Sequence, residues 1–412
     1  MADIDMNRAV GLGGGEPPDA RRPGGEPPGG EPPDARRPDA RRNELFRDPV
    51  VARTLLDGIR ARAFNLQLDR AEQPLRLMEV CGTHTMAIAK SGLRSLLPAG
   101  IRLLSGPGCP VCVTANSDID RIIALTRTDA LVTTFGDMLR VPGSSTSLSE
   151  QRARGAHVDV VYSPLDALQI AQQNSERQVV FIAVGFETTA PVIAATILRA
   201  QALGLKNFSV LSALKQVPPA LVALLNDDEL NLDGLILPGH VSTILGLSPY
   251  AFIADEYRMP AVVTGFEPLD ILAGVAMLLD QVAARRAGQP LTIGNAYTRS
   301  VQEAGNTQAR DLMDRVFTAT DANWRGLGPI SSSGFSLRDE YGFFDAERRF
   351  ELDVEETVEV RGCRCGDVLR GVIDPVDCPL FGRGCTPANP LGPCMVSSEG
   401  SCAAWYRYGL VA

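Results

Sequence analysis

The sequence predicts the α/β class with parallel sheets. First, eight short apolar runs recur, at residues 75–80, 101–104, 130–135, 158–162, 179–184, 208–211, 234–237 and 261–264. Second, segments with helical apolar spacing separate most of them, at 86–97, 117–125, 164–172, 188–203 and 218–225. Strand and helix in alternation build parallel sheets with helical crossovers. Third, several runs end in turns rich in glycine, cysteine, histidine or acid, and the carboxyl ends of parallel strands are where ligands bind. Eight such units could close into one barrel or divide into two open sheets of about four strands each.

In chain order, residues 1–44 read as a Pro/Gly/Arg-rich tail. Glu-Pro-Pro recurs at 16–18, 26–28 and 31–33, and Asp-Ala-Arg-Arg at 19–22, 34–37 and 39–42. Such composition buries almost nothing and predicts disorder. A helix is expected over 48–63, with Val51, Leu55, Leu56 and Ile59 on one face. After the strand–helix units come a long helix at 269–286 and another within 300–316. A Gly- and Ser-rich stretch at 324–351 reads as a connection. Six of the nine cysteines then fall between 363 and 402, marking a small module too short for apolar burial alone to stabilise.

Lys plus Arg number 40 against 49 Asp plus Glu, a formal charge of -9, which argues against a nucleic-acid binder. The best candidate membrane span, residues 182–200, is interrupted by Glu187 and Arg199, so no membrane span is expected. The N-terminus lacks a basic start followed by an apolar segment, so a cytoplasmic protein is expected. There, nine cysteines point to metal or redox chemistry rather than a disulfide framework.

The richest stretch is 75–114. Its first apolar run ends in Cys81-Gly82-Thr83-His84-Thr85, its second in Gly106-Pro107-Gly108-Cys109-Pro110-Val111-Cys112. Cys109 and Cys112 have the spacing of a reversible dithiol, or of half a zinc site. Cys81 with His84 could be a nucleophile, a soft ligand for low-spin iron, or a structural pair. Asp137, after the third run, is placed to face the same crevice. Glu187 sits at a strand–helix corner with Thr188 as the expected N-cap. His240 and Glu267 follow later strands, and the Gly-Phe-Glu copies at 185–187 and 265–267 suggest equivalent corners of one sheet. No phosphate-binding loop is present. In the terminal module Cys363, Cys365, Cys378, Cys385, Cys394 and Cys402 come without histidine, which suits an iron–sulfur cluster or zinc, with disulfides or free thiols as the alternative.

These motifs, with Gly185 to Pro191 and the Cys-Met-Val-Ser-Ser-Glu-Gly-Ser-Cys run at 394–402, resemble the HypD family of hydrogenase maturation proteins. The resemblance implies two open parallel-sheet α/β domains facing a cleft, plus a cysteine-rich module with a 4Fe-4S cluster. The expected division is 45–155 for the first domain, carrying Cys81 and the Cys109/Cys112 pair. It continues with 156–290 for the second, 291–350 as connection and 351–412 for the module. It further implies a scaffold for the Fe(CN)2CO group of nickel–iron hydrogenase, working with a HypC-like chaperone and a HypE-like cyanide donor. Cys81 would bind the iron carrying cyanide and carbon monoxide, with His84 beside it. Cys109 and Cys112 would relay electrons, and four of Cys365, Cys378, Cys385, Cys394 and Cys402 would hold the cluster, Cys363 being set aside first. The competing readings are a stand-alone cluster-dependent disulfide reductase and a zinc-bearing binding module.

Overall fold

The computed structural model describes residues 47–409, so the expected tail lies outside the described residues. All eight predicted strands form: β1 (Leu75–Glu79), β2 (Ile101–Ser105), β3 (Leu131–Thr134), β4 (Val158–Val160), β5 (Val179–Ala183), β6 (Phe208–Ser212), β7 (Gly234–Pro238) and β8 (Ala261–Thr264). A two-residue strand, β9 (Gly294–Asn295), and two long strands, β10 (Phe317–Trp324) and β11 (Gly328–Leu337), follow. The parallel strands make two open sheets and not a barrel. The first has the order β2-β1-β7-β8-β9 and the second β4-β3-β5-β6.

The helices that cover them include α1 (Pro49–Asn65), α2 (Gly82–Ser91), α3 (Pro110–Val113), α4 (Asn116–Ala124), α5 (Pro164–Gln173), α6 (Ala190–Ala202), α7 (Val217–Leu225), α8 (Pro268–Arg286) and α9 (Thr307–Val316). Every residue of β3, β5, β7 and β8 is buried, which is why these strands read as unbroken apolar runs. The helix expected within 300–316 begins only at Thr307, where the Asn306 side chain accepts from the Ala309 N–H.

The sheets do not divide the chain at 155/156. β1 and β2 belong with β7–β9, while β3–β6 form the other sheet between them. Sequence order alone favours pairing neighbours; the register of β1 against β7, Leu77 opposite Gly234, requires the chain to return. Two crossings connect the sheets, one after β2 and one after β6. They are tied by Lys215, whose Nζ donates to Asp118 Oδ2 at 3.1 Å and to the Asn323 carbonyl at 2.7 Å.

The stretch 324–351 is more ordered than a connection. Its first part is β11, antiparallel to β10, with a bulge between Thr320 and Ala322. This hairpin seats on the second crossing: the Gln216 N–H donates to the Ser333 carbonyl at 2.7 Å. Three consecutive serines, Ser331 to Ser333, break the alternation that would have marked the strand. The cysteine module, in turn, has no core of its own. Cys365, Leu369, Cys394, Met395 and Cys402 join one buried cluster with Met78, Val80 and Leu104 of the first sheet. Arg76 and Arg102 pin its edge through the Gly371 carbonyl (2.9 Å) and Asp374 (2.7 Å).

Candidate functional site

β1 carries a carboxylate into the protein at its last residue. Glu79 is fully buried and accepts from the Cys81 N–H at 3.0 Å and from the Thr85 hydroxyl. Burial raises its pKa to about 7. This fixes the turn in which Cys81 stands immediately before α2. The amides of Thr83 and His84, at the helix start, favour the Cys81 thiolate, but burial and then the Glu399 charge outweigh them and push the thiol up to about 12. Cys81 is therefore a protonated thiol at neutral pH, until something that competes for the sulfur displaces the proton.

The second cysteine turn lies directly against the first. The Gly82 N–H donates to the Gly108 carbonyl at 3.0 Å. A Cβ on Gly108 would stand 2.0 Å from the Cys81 nitrogen, closer than any atom can come. A Gly108→Ala protein is thus expected to be destabilised by about 3 kcal/mol, read as a lowered urea midpoint. Gly155→Ala is not a fair control because its φ is +102°; a Gly136→Ala protein, where the nearest atom is 3.7 Å away, stays near the parent.

His84 is buried. Its Nε2 lies 3.0 Å from the Gly265 carbonyl and 2.8 Å from Thr264 Oγ1. A carbonyl can only accept, so Nε2 carries the ring proton. Nδ1, which has no hydrogen-bond partner among the described residues, is left as an acceptor. Burial lowers the pKa to about 4, so the ring is neutral. Phe266 lies between His84 and His240, with ring centroids 4.6 and 4.0 Å away.

Cys109 caps α3, and its sulfur accepts from the Cys112 N–H at 3.3 Å. The two sulfurs are 2.6 Å apart. Burial, then Cys109, hold the Cys112 thiol well above the usual range. The run 394–402 reaches both cysteine turns. Ser397 Oγ is 3.4 Å from the Cys109 sulfur, and Glu399 accepts from the Thr83 hydroxyl at 2.6 Å. Glu399 also occupies the space a Gly82 side chain would need. Sequence reasoning missed Glu79, Ser397 and Glu399. The one available signal was an acid inside an apolar run, Leu-Arg-Leu-Met-Glu-Val; nothing local marks the other two.

All six terminal cysteines line one cavity, whose other walls include Val368, Leu380, Phe381 and Met395. Cys365 and Cys394 bring their sulfurs to 2.7 Å. Cys363 is the one that is only half-buried. Cys112 neighbours Cys394, so the thiols of the second turn and the module are continuous.

Of the remaining candidates, Asp137 accepts from Ser397 and Ser398. The Gly-Phe-Glu copies are not corners of one sheet: the first follows β5 and the second β8. Glu267 caps α8 and bonds Arg47. Thr188 is not a cap; Thr189 precedes α6 and its side chain makes no capping bond. Glu187 turns inward instead and accepts from the Val217 N–H at 2.8 Å across the second crossing. Its other oxygen is buried with no hydrogen-bond partner among the described residues, and burial raises its pKa to about 7. The folded state thus holds a proton that the unfolded chain releases near 4.5. That contribution to stability is full below pH 4.5 and is lost as pH rises through 7. Glu187→Gln is expected to flatten urea stability between pH 5 and 7 by about 1 kcal/mol per pH unit relative to the parent.

The fold brings the Cys81 turn, the Cys109–Cys112 turn and the terminal cysteine run together, and the comparisons define the class of the chain as hydrogenase formation. The profile described as "HypD: Hydrogenase formation hypA family" matches residues 51–409. The Hydrogenase expression/formation protein HupD of Azotobacter chroococcum mcd 1 is 48% identical over 372 residues, 88% of this chain and 96% of the relative. The Hydrogenase maturation factor HypD of Escherichia coli (strain K12) is 45% identical over 365 residues, again 88% and 96%. The chain belongs to the HypD family.

Proposed function

We propose that the chain is the assembly scaffold on which the iron of a nickel–iron hydrogenase receives cyanide and carbon monoxide. The observation that carries this reading is the contact of the 394–402 run with both cysteine turns. Cys81, the dithiol and the cysteine cavity thereby form one continuous site. A stand-alone disulfide reductase has no use for the Cys81 turn that Glu79 and Glu399 hold in place.

Cys81 would bind the incoming iron, which is cargo, after losing its proton. A soft thiolate suits low-spin ferrous iron with strong-field ligands. Among the described residues no three His, Cys, Asp or Glu side chains are grouped to hold one metal ion. The reading therefore assigns further ligands to a HypC-like partner, with cyanide delivered through a HypE-like protein. His84, whose free nitrogen is an acceptor, would hold a donor group near the iron rather than give up a proton.

An all-thiol, apolar cavity fits a 4Fe-4S cluster better than a hard-metal site. Each ligand of such a cluster sits on its own iron, so two sulfurs in contact do not both serve. Cys365 and Cys394 are in contact. This reading assigns Cys365 and Cys394 to each other as a thiol pair next to Cys112, which leaves Cys363, Cys378, Cys385 and Cys402 as the four ligands; Cys363, which the resemblance set aside first, enters. The cluster would supply electrons one at a time, and Cys109 and Cys112 would store two as a dithiol. Metal-binding thiols and a dithiol that must be returned to its reduced form fit a cytoplasmic location.

The test is an infrared spectrum of protein purified anaerobically from cells that express the other maturation factors, together with iron and acid-labile sulfide analysis. Cyanide and carbonyl stretches with about four irons and four sulfides beyond the cargo are expected. A cluster without those stretches would bring the reductase reading forward. Stoichiometric zinc without sulfide would leave a binding module.

A further inference from the structure

The dithiol has a hydrogen-bonded exit to solvent. Cys109 Sγ donates to Ser397 Oγ at 3.4 Å, and Ser397 Oγ donates to Asp137 Oδ2 at 3.1 Å. The directions follow from the bonds around each atom. The Cys109 sulfur already accepts from the Cys112 N–H and thiol, so its own proton points to Ser397. Ser397 Oγ accepts from Cys109 and from the Glu399 N–H at 3.2 Å, which occupies both lone pairs. Its proton is left for Asp137. The Ser398 N–H, at 3.2 Å, and hydroxyl, at 3.4 Å, steady the same carboxylate oxygen. Cys109 and Ser397 are buried, whereas Asp137 is half-buried on the turn Gly136–Arg140 after β3. A thiol inside the protein is thus wired to a carboxylate at its surface.

We infer that Ser397 and Asp137 form the proton relay of the Cys109/Cys112 pair, Ser397 touching the reacting sulfur and Asp137 positioning and receiving the proton through it. This rests on the redox reading of the dithiol. In oxidation by an external cyclic disulfide, the Cys109 proton passes to Ser397 as the Ser397 proton passes to Asp137. The Cys109 thiolate attacks one sulfur of the disulfide and breaks its S–S bond; the leaving sulfur takes a proton from solvent. Cys112, which is buried against Cys109, then attacks the Cys109 sulfur and hands its proton to the second sulfur as that sulfur leaves. Two electrons leave the pair and reduce the external disulfide to a dithiol. Two protons leave the pair and two enter the product. In the reverse direction Asp137 returns the proton.

The other ionisable groups around the chain are engaged elsewhere. Cys112 borders Cys394 and Cys365. Arg140, on the turn of Asp137, donates to the Pro387 carbonyl at 3.3 Å, and Glu399 accepts from Thr83. Glu79 accepts from the Cys81 turn, not from the dithiol.

The experiment uses the full chain, purified anaerobically with the dithiol reduced, and oxidised dithiothreitol as the probe. Formation of the Cys109–Cys112 disulfide is followed by peptide mass spectrometry from pH 6 to 9. Asp137→Asn keeps the acceptor oxygen but cannot hold the proton. Ser397→Ala breaks the chain, and Ser397→Thr preserves it. The first two are expected to react roughly 10²-fold more slowly at pH 7 and to recover as pH rises. Ser397→Thr should stay within a few-fold of the parent. Rates for Asp137→Asn and Ser397→Ala within twofold of the parent, with the same pH profile, would overturn the relay while leaving the redox reading intact. A parent that forms no disulfide at all would remove the redox reading and the relay with it.

Discussion

A Cys81→Ala protein, made alongside the other maturation factors, is expected to carry no cyanide or carbonyl stretches, a loss of at least tenfold against the parent. Its cluster iron and sulfide should be unchanged. Cys81 stands between β1 and α2 and does not itself line the six-cysteine cavity. Its sulfur is not bonded into the dithiol, whose own sulfurs lie 2.6 Å apart. Removing one sulfur atom from a buried site costs about 1 kcal/mol, too little to unfold the chain, so a normal urea midpoint separates lost ligation from lost fold. Bands that persist in the variant would move the iron to Cys109, Cys112 or the partner.

Lys215→Met is expected to cost about 3 kcal/mol of stability. Lys215 is only 2% exposed, and its partner Asp118 is 6% exposed at the side chain. Burial, and to a lesser extent Arg121, lowers the lysine pKa; Asp118 opposes that shift and keeps the ammonium in place. Without the ammonium, Asp118 keeps Arg121 as its one cationic partner among the described residues, and the Asn323 carbonyl loses this donor. Because this pair joins the two crossings, the loss should fall on the cooperativity between sheets as well as on the midpoint. A Lys215→Met/Asp118→Leu double variant should recover part of the loss, since no uncompensated charge remains. If the single and double variants unfold alike, the charge was not what held the crossings.

The central strands β5, β7 and β8 were legible because burial on both faces leaves them almost wholly apolar between turn residues; β1, β2 and β4 carry Arg76, Arg102 and Asp159 and were legible as short apolar runs with a polar break. Their assignment to sheets was not. Nothing local in β1 says that it pairs with β7, more than 150 residues away (Arg76 to Asp233, |i−j| of 157), rather than with β3. The hairpin β10–β11 was hidden for another reason: consecutive polar residues, Thr320-Asp321 and Ser331 to Ser333, break the alternation of a half-buried strand. Cys81, Cys109 and Cys112 stood out because thiols at strand ends are rare and chemically loaded. Ser397 and Glu399 did not, because a serine or a glutamate between cysteines is ordinary until the fold shows what it touches. The spacing of the terminal cysteines likewise could not reveal that Cys365 and Cys394 adjoin each other, since 29 residues of irregular chain separate them.

The return of the chain to its first sheet also sets a timetable for synthesis. At roughly 5–20 residues per second, β1 leaves the ribosome about 10–30 seconds before its partner β7. Glu399, 316 residues after the Thr83 it bonds, comes later still. The Cys81 pocket is therefore incomplete until residue 399 has been made, and until then its thiol is open to stray metals and oxidants. A ribosome-bound chain halted before residue 399 should present Cys81 as an ordinary reactive thiol. Arrival of the 394–402 run is what turns that thiol into a guarded one.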